Sequence, residues 1–355
     1  MILTPHRNIW RLARAERAAV LIDAGRYFGV LRQALIKAQS SVFFIGWDLD
    51  SRTRLVGESA APMDGYPETF VALLTALVNE RPELKVHLLV WDYSVLYALE
   101  REPFPTVSLR WRTPRGIRFC LDDDLPVGAS HHQKIVVVDD AVAFCGGLDV
   151  TIRRWDTREH QPDDPRRVDP GGSPYPPFHD VQAIVDGDAA VALAELARER
   201  WLRAGCIEAP PLAPTGDPWP SHIEPDFRVT EIGIARTLPA SDEMDEVREI
   251  EALFLDGIDQ ATRTIYIENQ FITARRIAER LARRLAERPA LEASSSCRRR
   301  STPAGVPGDW ERPQPFHRRA TSCRRARSRG RPLAAREQRR KRHRRDGALQ
   351  ADDRR

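Results

Sequence analysis

Runs of almost wholly apolar residues alternate with segments that repeat apolar residues at helical spacing, and this alternation restricts the fold more than any other feature. A strand covered by helices on both sides needs such a run, because neither of its faces meets water. The apolar runs occupy residues 41–47, 85–91, 135–138 and 141–145, and the helical segments occupy residues 27–39 and 69–79. The pattern predicts an α/β fold with a parallel or mixed central sheet.

The helix-then-strand pattern returns after residues 209–220, which carry five prolines and predict a linker. Residues 242–258 have helical spacing, and residues 261–270 lie over residues 38–47 at an offset of 223 residues. A loop is predicted at 161–177, where Pro, Asp and Gly are concentrated. The predicted domains are therefore a first lobe (1–208), the linker (209–220), a partial second lobe (221–290) and a tail (291–355).

The tail differs from the rest of the chain in charge and in apolar content. It holds 20 Lys and Arg against 7 Asp and Glu, whereas residues 1–290 hold 35 against 44. It contains three Leu, one Val and one Phe, and no Ile, Met or Tyr. A segment with so little to bury cannot form a core of its own, so we predict a disordered, Arg-rich tail.

The cysteines and the lengths of the apolar runs indicate the cellular compartment of the protein. The five cysteines are scattered without a Cys-x-x-Cys pair, which predicts neither a disulfide framework nor a zinc knuckle. The longest uninterrupted apolar run, residues 189–194, is far shorter than the ~18 residues of a membrane-spanning helix. We therefore predict a cytoplasmic protein that meets membranes only from their surface.

Residues 131–149 read HHQKIVVVDDAVAFCGGLD and combine an imidazole, an ammonium group and a glycine pair. On a strand His132 and Lys134 would point to the same side, so the imidazole could attack phosphorus while the ammonium neutralises the phosphate oxygens. Gly146 and Gly147 would let backbone N–H groups approach the same anion. This chemistry needs neither a metal nor a cofactor, and the nearby His and Asp residues show no recognised metal-ligand spacing.

The segments HHQKIVVVD, AFCGGLD, RRWDT and IYIENQF resemble the phospholipase D superfamily, and its phosphatidyltransferase branch in particular. The resemblance covers about residues 8–290. It implies two similar α/β/α lobes, phosphodiester substrates such as phospholipids, and a metal-free mechanism through a phosphohistidine that water or an alcohol resolves. The catalytic residues that it implies are His132, Lys134 and Asp139. The implied phosphate- or substrate-binding residues are Gly146, Gly147, Asp149, Glu268 and Asn269.

The resemblance also implies a second His-x-Lys motif from the second lobe, near residue 355 by the offset of the repeat. The chain contains no such motif there. One permitted coding of residues 346–355, read from its second base, nevertheless translates as Met-Val-His-Ser-Lys-Leu-Met-Ile-Val. We therefore hypothesise that residues from about 291 onward are a frameshifted product of a gene for a two-lobe enzyme, which sequencing of the locus would test. A chain with half of the implied site could be inactive.

Two alternatives stay open at the level of sequence. The basic tail could bind nucleic acid or an anionic membrane while the remainder is a non-catalytic remnant. Alternatively, one motif per chain could build a nuclease-type site across a symmetric dimer. The main hypothesis is a phospholipase D-like phosphodiesterase or phosphatidyltransferase, similar to cardiolipin synthase, that acts on phospholipid at a membrane surface.

Overall fold

The computed structural model describes residues 2–59, 62–92, 113–126, 129–207, 209–210, 213–241, 244–269 and 273–296. Residues 3–249 form one compact unit, and residues 250–296 belong to a second. The elements that begin in the first unit are β1 (Arg11–Ile22), α1 (Asp23–Lys37), β2 (Ser41–Gly46), α2 (Phe70–Glu80), β3 (Lys85–Trp91), β4 (Ile117–Asp122), β5 (Ile135–Val138), β6 (Val142–Gly146), β7 (Val181–Asp186), α3 (Gly187–Arg203), β8 (Phe227–Ile234), β9 (Thr237–Leu238), β10 (Val247–Arg248) and α4 (Glu249–Gln260). The remaining described elements are β11 (Thr264–Glu268), α5 (Arg275–Glu287) and β12 (Glu292–Ser296).

The first unit is built on one mixed sheet with the strand order β4-β3-β2-β5-β6-β7-β1-β8. The β2–β3 and β3–β4 pairs are parallel, and the pairs from β2–β5 through to β1–β8 are antiparallel. The predicted α/β class with a mixed sheet is therefore confirmed. The two parallel pairs lie at one side of the sheet. The helix α2 supplies the crossover connection that the parallel β2–β3 pair needs.

Both faces of the sheet are buried, as the apolar runs predicted. On β5, Val136 and Val138 belong to the apolar cluster that contains α1 and α2, whereas Ile135 and Val137 belong to the cluster that contains α3. Neighbouring side chains of a strand point to opposite faces, so an apolar run of this kind feeds both clusters at once. Central strands held in this way give the residues at their ends fixed positions.

Several elements were not predicted, and they share a polar or alanine-rich composition. The strand β1 reads RLARAERAAVLI, in which Ala13 and Ala15 are buried while Arg14 and Glu16 are exposed. Alanine gives a weak apolar signal, so its alternation with arginine hides a half-buried strand. The strands β4 and β7 and the helices α3 and α5 were likewise not predicted from the sequence.

The predicted boundary at 209–220 does not separate the two compact units. The strand β8 follows this segment and pairs with β1 through seven residue pairs from Arg11–Ile234 to Ala18–Phe227, so it completes the first sheet. The predicted helix at 242–258 begins later, at Glu249. In the second unit β12 pairs in parallel with β11, which extends regular structure past residue 290. The predicted tail lies outside the described residues from 297 onward.

The prediction that the cysteines form no disulfide differs from the structure, in which Cys120 and Cys206 are bonded. Their Cα atoms are 6.4 Å apart and 86 residues separate them, so the fold supplies a proximity that scattered spacing does not reveal. Cys145 is a free cysteine. Among the described helices, none is long and apolar enough to cross a lipid bilayer.

Candidate active site

The strand directions bring most of the predicted site residues to one end of the sheet. The antiparallel pairing of β5 with β2 and β6 sets the start of β5 beside the ends of both neighbours. The start of β7 and the end of β1 lie at the same end, because Gly146 pairs with Gln182 and Ile22 with Val181. The segments gathered there are residues 46–49, 131–134 and 146–149, together with Asp122 at the end of β4, Asp23 directly after β1 and Asp180 directly before β7.

Lys134 is buried at this end of the sheet and forms an ion pair with Asp149. Its Nζ lies 3.0 Å from Asp149 Oδ2, and the two side chains are 5% and 4% exposed. The second carboxylate oxygen of Asp149 accepts hydrogen bonds from the backbone N–H groups of Trp47 at 2.9 Å and Asp48 at 3.4 Å. Asp149 therefore fixes the ammonium group against the end of β2, and its charge is compensated by one cation and two N–H groups.

His132 is an exposed residue three positions before the start of β5, and Lys134 Nζ donates to its carbonyl oxygen at 3.3 Å. Residues 131–134 are not part of the strand, so the predicted strand alternation does not govern where these two side chains point. Loss of hydration lowers the pKa of the His132 imidazole, and the positive charge of Lys134 lowers it further, while Asp149 opposes them. A lowered pKa favours the neutral imidazole, which is the nucleophilic form.

The pKa of His132 gives a test of this electrostatic arrangement. We expect the ring of His132 to titrate below the ordinary imidazole value of about 6.5, so that the neutral form is lost only as the pH falls through the lowered pKa. Lys134→Met should raise the pKa because a neighbouring cation is removed, and Asp149→Asn should lower it further. NMR titration of the His132 ring protons gives this pKa in the wild type and in both variants. Shifts of the same sign in both variants would contradict the arrangement.

Asp139, which the sequence grouped with His132 and Lys134, lies at the opposite end of β5. Its carboxylate accepts hydrogen bonds from the backbone N–H groups of Gln39, Ser40 and Ser41 at 2.8–2.9 Å, where β2 begins. Asp139 and Asp140 both have a φ of 53°, as the two central residues of a tight hairpin turn between β5 and β6 require. The structure therefore does not bring Asp139 to His132, and its contacts are those of a residue that holds the hairpin in place.

Substitution of Asp139 separates a structural role from a catalytic one. We expect Asp139→Ala to lower the free energy of unfolding by about 3 kcal/mol, because three backbone donors lose a charged acceptor. Asp139→Asn should cost less, because asparagine keeps one acceptor oxygen and tolerates a positive φ. Urea denaturation measures both changes. The rate of any phosphodiester cleavage by His132, expressed per folded molecule, should be unchanged in both variants. Loss of that cleavage in a well-folded Asp139→Asn protein would instead support a catalytic role for Asp139.

Gly146 and Gly147 allow a close backbone approach, but to the neighbouring strand. A Cβ on Gly146 would lie 2.4 Å from the carbonyl oxygen of Val181, and one on Gly147 would lie 2.1 Å from Asp180 Oδ1. The N–H of Gly147 donates to Val181 O at 3.0 Å, and that of Gly146 to Lys134 O at 3.4 Å. These N–H groups face carbonyl oxygens, which differs from the prediction that they face a bound anion. Sequence reasoning identified the need for glycine but not its cause.

A buried polar cluster beside Lys134 was not predicted. His131 Nε2 lies 3.0 Å from Asp122 Oδ2, and Arg200 of α3 donates to the same oxygen at 2.8 Å. Arg200 also reaches Gln133 Oε1 at 3.4 Å. Burial raises the pKa of the Asp122 carboxyl, but its contacts with His131 and Arg200 outweigh burial and the pKa is lowered. The sequence signal was His131, the first histidine of the pair at 131–132, and its burial anchors the segment that carries His132.

Glu268 and Asn269 belong to the second compact unit. Glu268 is the last residue of β11, and the N–H of Asn269 donates to Ser296 O at 3.1 Å. Both residues are exposed at the end of the strand. Their predicted contact with a phosphate or substrate remains a prediction.

Comparison with known proteins yields a consistent set of relatives. No family model matches the chain. It is 26% identical over 321 residues to phospholipase D alpha 1 of Vigna unguiculata, covering 70% of this chain and 39% of that protein. It is also 26% identical over 212 residues to phospholipase D C of Dictyostelium discoideum, covering 52% of this chain and 12% of that protein. The chain thus spans about two fifths or less of these two curated relatives.

A solved structure can also be superposed over most of the chain. Phosphatidylserine synthase of Haemophilus influenzae superposes with a TM-score of 0.49 at 13% identity, over 81% of this chain and 64% of that chain.

Proposed function

We propose that this distant member of the phospholipase D superfamily cleaves phosphodiester bonds through a covalent phosphohistidine at His132. The observation that supports the proposal is an exposed imidazole of lowered pKa beside a buried cation, Lys134, which Asp149 holds in place. A neutral imidazole can attack, and a nearby positive charge stabilises the negative charge that builds on the phosphoryl oxygens. Asp139 acts in this proposal only as a positioning residue.

The proposed reaction has two steps that balance. A ring nitrogen of His132 forms a bond to phosphorus while the bond from phosphorus to the leaving oxygen breaks, and that oxygen takes up a proton from a general acid. Water or an alcohol then attacks phosphorus, releases the imidazole and gives up a proton. The acceptor decides whether the outcome is hydrolysis or phosphatidyl transfer.

Phospholipids are the substrate class that we propose, with the headgroup and the acceptor alcohol left open. Several curated relatives are named phospholipase D. A phospholipid presents its phosphodiester at the membrane surface. Transphosphatidylation of the cardiolipin synthase type belongs to this proposal as one of the two acceptor choices.

The leaving group decides how the proposal can be tested on the chain as it exists. The general acid would come from a second His-x-Lys motif, and the chain carries the first of the two motifs alone. A p-nitrophenyl phosphodiester needs no acid, because nitrophenolate leaves as a stable anion. We therefore expect a burst of nitrophenolate close to one equivalent and an acid-labile phosphoryl adduct on the peptide that contains His132. Absence of both would overturn the proposal.

The frameshift hypothesis is the second part of the proposal. It is supported by the change of composition after residue 291 and by the alternative coding of residues 346–355. A version with the reading frame restored should turn over unactivated phospholipid, because it would regain the acid. Genomic sequence that contains no His-x-Lys coding in any frame near this position would exclude it.

A further inference from the structure

Three residues that the proposed reaction does not use, Asp23, His160 and His179, converge next to the candidate active site. His179 Nδ1 lies 2.7 Å from Asp23 Oδ1, and His160 Nε2 lies 3.5 Å from Asp23 Oδ2. One ligand atom from each of the three residues can be chosen so that all lie within 4.8 Å of one another. The rings of His160 and His179 stand nearly perpendicular, with centroids 5.4 Å apart.

The carboxylate of Asp23 is incompletely satisfied for a group so deeply buried. Asp23 is 0% exposed and has a φ of 66°, an unusual backbone conformation for a residue other than glycine. Its Oδ1 accepts from His179 and from the backbone N–H of Asp180 at 3.3 Å. Its Oδ2 has no hydrogen-bond partner among the described residues. A buried carboxylate oxygen without a donor is costly unless a cation compensates it.

The orientation of His160 is fixed by a second carboxylate. Its Nδ1 lies 2.9 Å from Asp156 Oδ2, and the other oxygen of Asp156 accepts a hydrogen bond from Arg167 at 2.9 Å. Asp156 and Arg167 are both fully buried. An ionised carboxylate only accepts, so Nδ1 donates its proton to Asp156, and Nε2, which faces Asp23, is the ring nitrogen left to coordinate a cation. A carboxylate that holds the distal nitrogen of a histidine in this way is the usual outer support of a metal-ligating imidazole.

We propose that Asp23, His160 and His179 bind a divalent cation of the Zn²⁺ class. Two imidazoles and one carboxylate form a common protein ligand set for Zn²⁺ and leave a coordination position for water. Two ligand atoms that each lie about 2.0–2.1 Å from a tetrahedral Zn²⁺ are about 3.3 Å apart, close to the 3.5 Å between Nε2 and Oδ2. The side chains of His160 and His179 are 33% and 39% exposed, which gives the ion a path from solvent.

Binding would exchange a proton for the ion. His179 Nδ1 now donates to Asp23 Oδ1, so this nitrogen must release its proton before it can coordinate the cation. The site would then link the start of α1 to both ends of the loop at 157–179. This binding is independent of phosphodiester turnover, and its test requires no activity.

The test uses the full chain and Zn²⁺ alone. Competition with a chromogenic zinc indicator should show one more bound equivalent in the wild-type protein than in His160→Ala or His179→Ala. His222→Ala is the matched control, because His222 is an exposed histidine outside the group, and it should retain that equivalent. Far-ultraviolet circular dichroism establishes that each variant is folded. Equal stoichiometry in the wild type and both folded variants would overturn the proposal.

A measurement on the wild-type protein covers the case in which the variants do not fold. Histidines and cysteines also occur in residues 297–355, and thiolates there could bind zinc. X-ray absorption of the protein loaded with one equivalent of Zn²⁺ should show nitrogen and oxygen ligands with the scattering of two imidazoles. A shell that contains sulfur, or one without imidazole, would contradict the proposed ligands. Failure to bind one equivalent of Zn²⁺ would do the same.

Discussion

His132→Ala should reduce the rate of nitrophenolate release in the burst from a p-nitrophenyl phosphodiester by about 10³-fold or more, because the group that forms the bond to phosphorus is removed. The neighbouring histidine cannot replace it, since His131 is buried and lies against Asp122 and Arg200. The activated leaving group confines the measurement to the first step, so the missing general acid does not affect the result. Stopped-flow absorbance gives the amplitude, and mass spectrometry gives the adduct.

The control for this prediction is His222→Ala, which removes an exposed imidazole of the same unit and should leave the burst unchanged. His132→Gln keeps a polar side chain at the site but supplies no nucleophile, so it should behave like the alanine variant. A burst of full amplitude in His132→Ala would show that another group attacks. It would also remove the reason for assigning chemistry to this end of the sheet.

Lys134→Met should lower the free energy of unfolding by about 3–5 kcal/mol, which is the usual cost of leaving one member of a buried ion pair without its partner. Asp149 would keep its two backbone donors but lose the cation that compensates its charge. Urea denaturation followed by tryptophan fluorescence reports on this unit, since seven of the eight tryptophans lie in residues 10–219.

Two further proteins make the measurement specific to the pair. Lys134→Met combined with Asp149→Asn removes both charges and keeps an acceptor oxygen. The double variant should therefore lose less free energy of unfolding than Lys134→Met alone. Lys85→Met is the matched control, because the contact that Lys85 Nζ makes among the described residues is an exposed hydrogen bond to Pro82 O, and its effect should stay within about 0.5 kcal/mol. If Lys134→Met and Lys85→Met cost the same, the buried pair does not stabilise the site.

The predicted site divides into residues that converge and residues that do not. His132, Lys134, Asp149 and the glycine pair lie at one end of the sheet, whereas Asp139 lies at the other. The motif spacing groups His132 with Asp139 because they are close in sequence, but the four residues of β5 carry them to opposite ends of one strand. A rise of about 3.3 Å per residue over that strand accounts for the separation.

The sequence alone determined the α/β class, the bounds of β3 and β5 and the residues of the first motif, because apolar runs and the spacing of His132 and Lys134 are local signals. The tertiary structure decided which partner each polar group has: Asp149 for Lys134, Asp122 for His131 and Asp23 for His179. It also decided the Cys120–Cys206 bond and the pairing of β8 with β1. Pairings of this kind join residues up to some 200 positions apart, and they depend on strand order and register, which local periodicity does not specify.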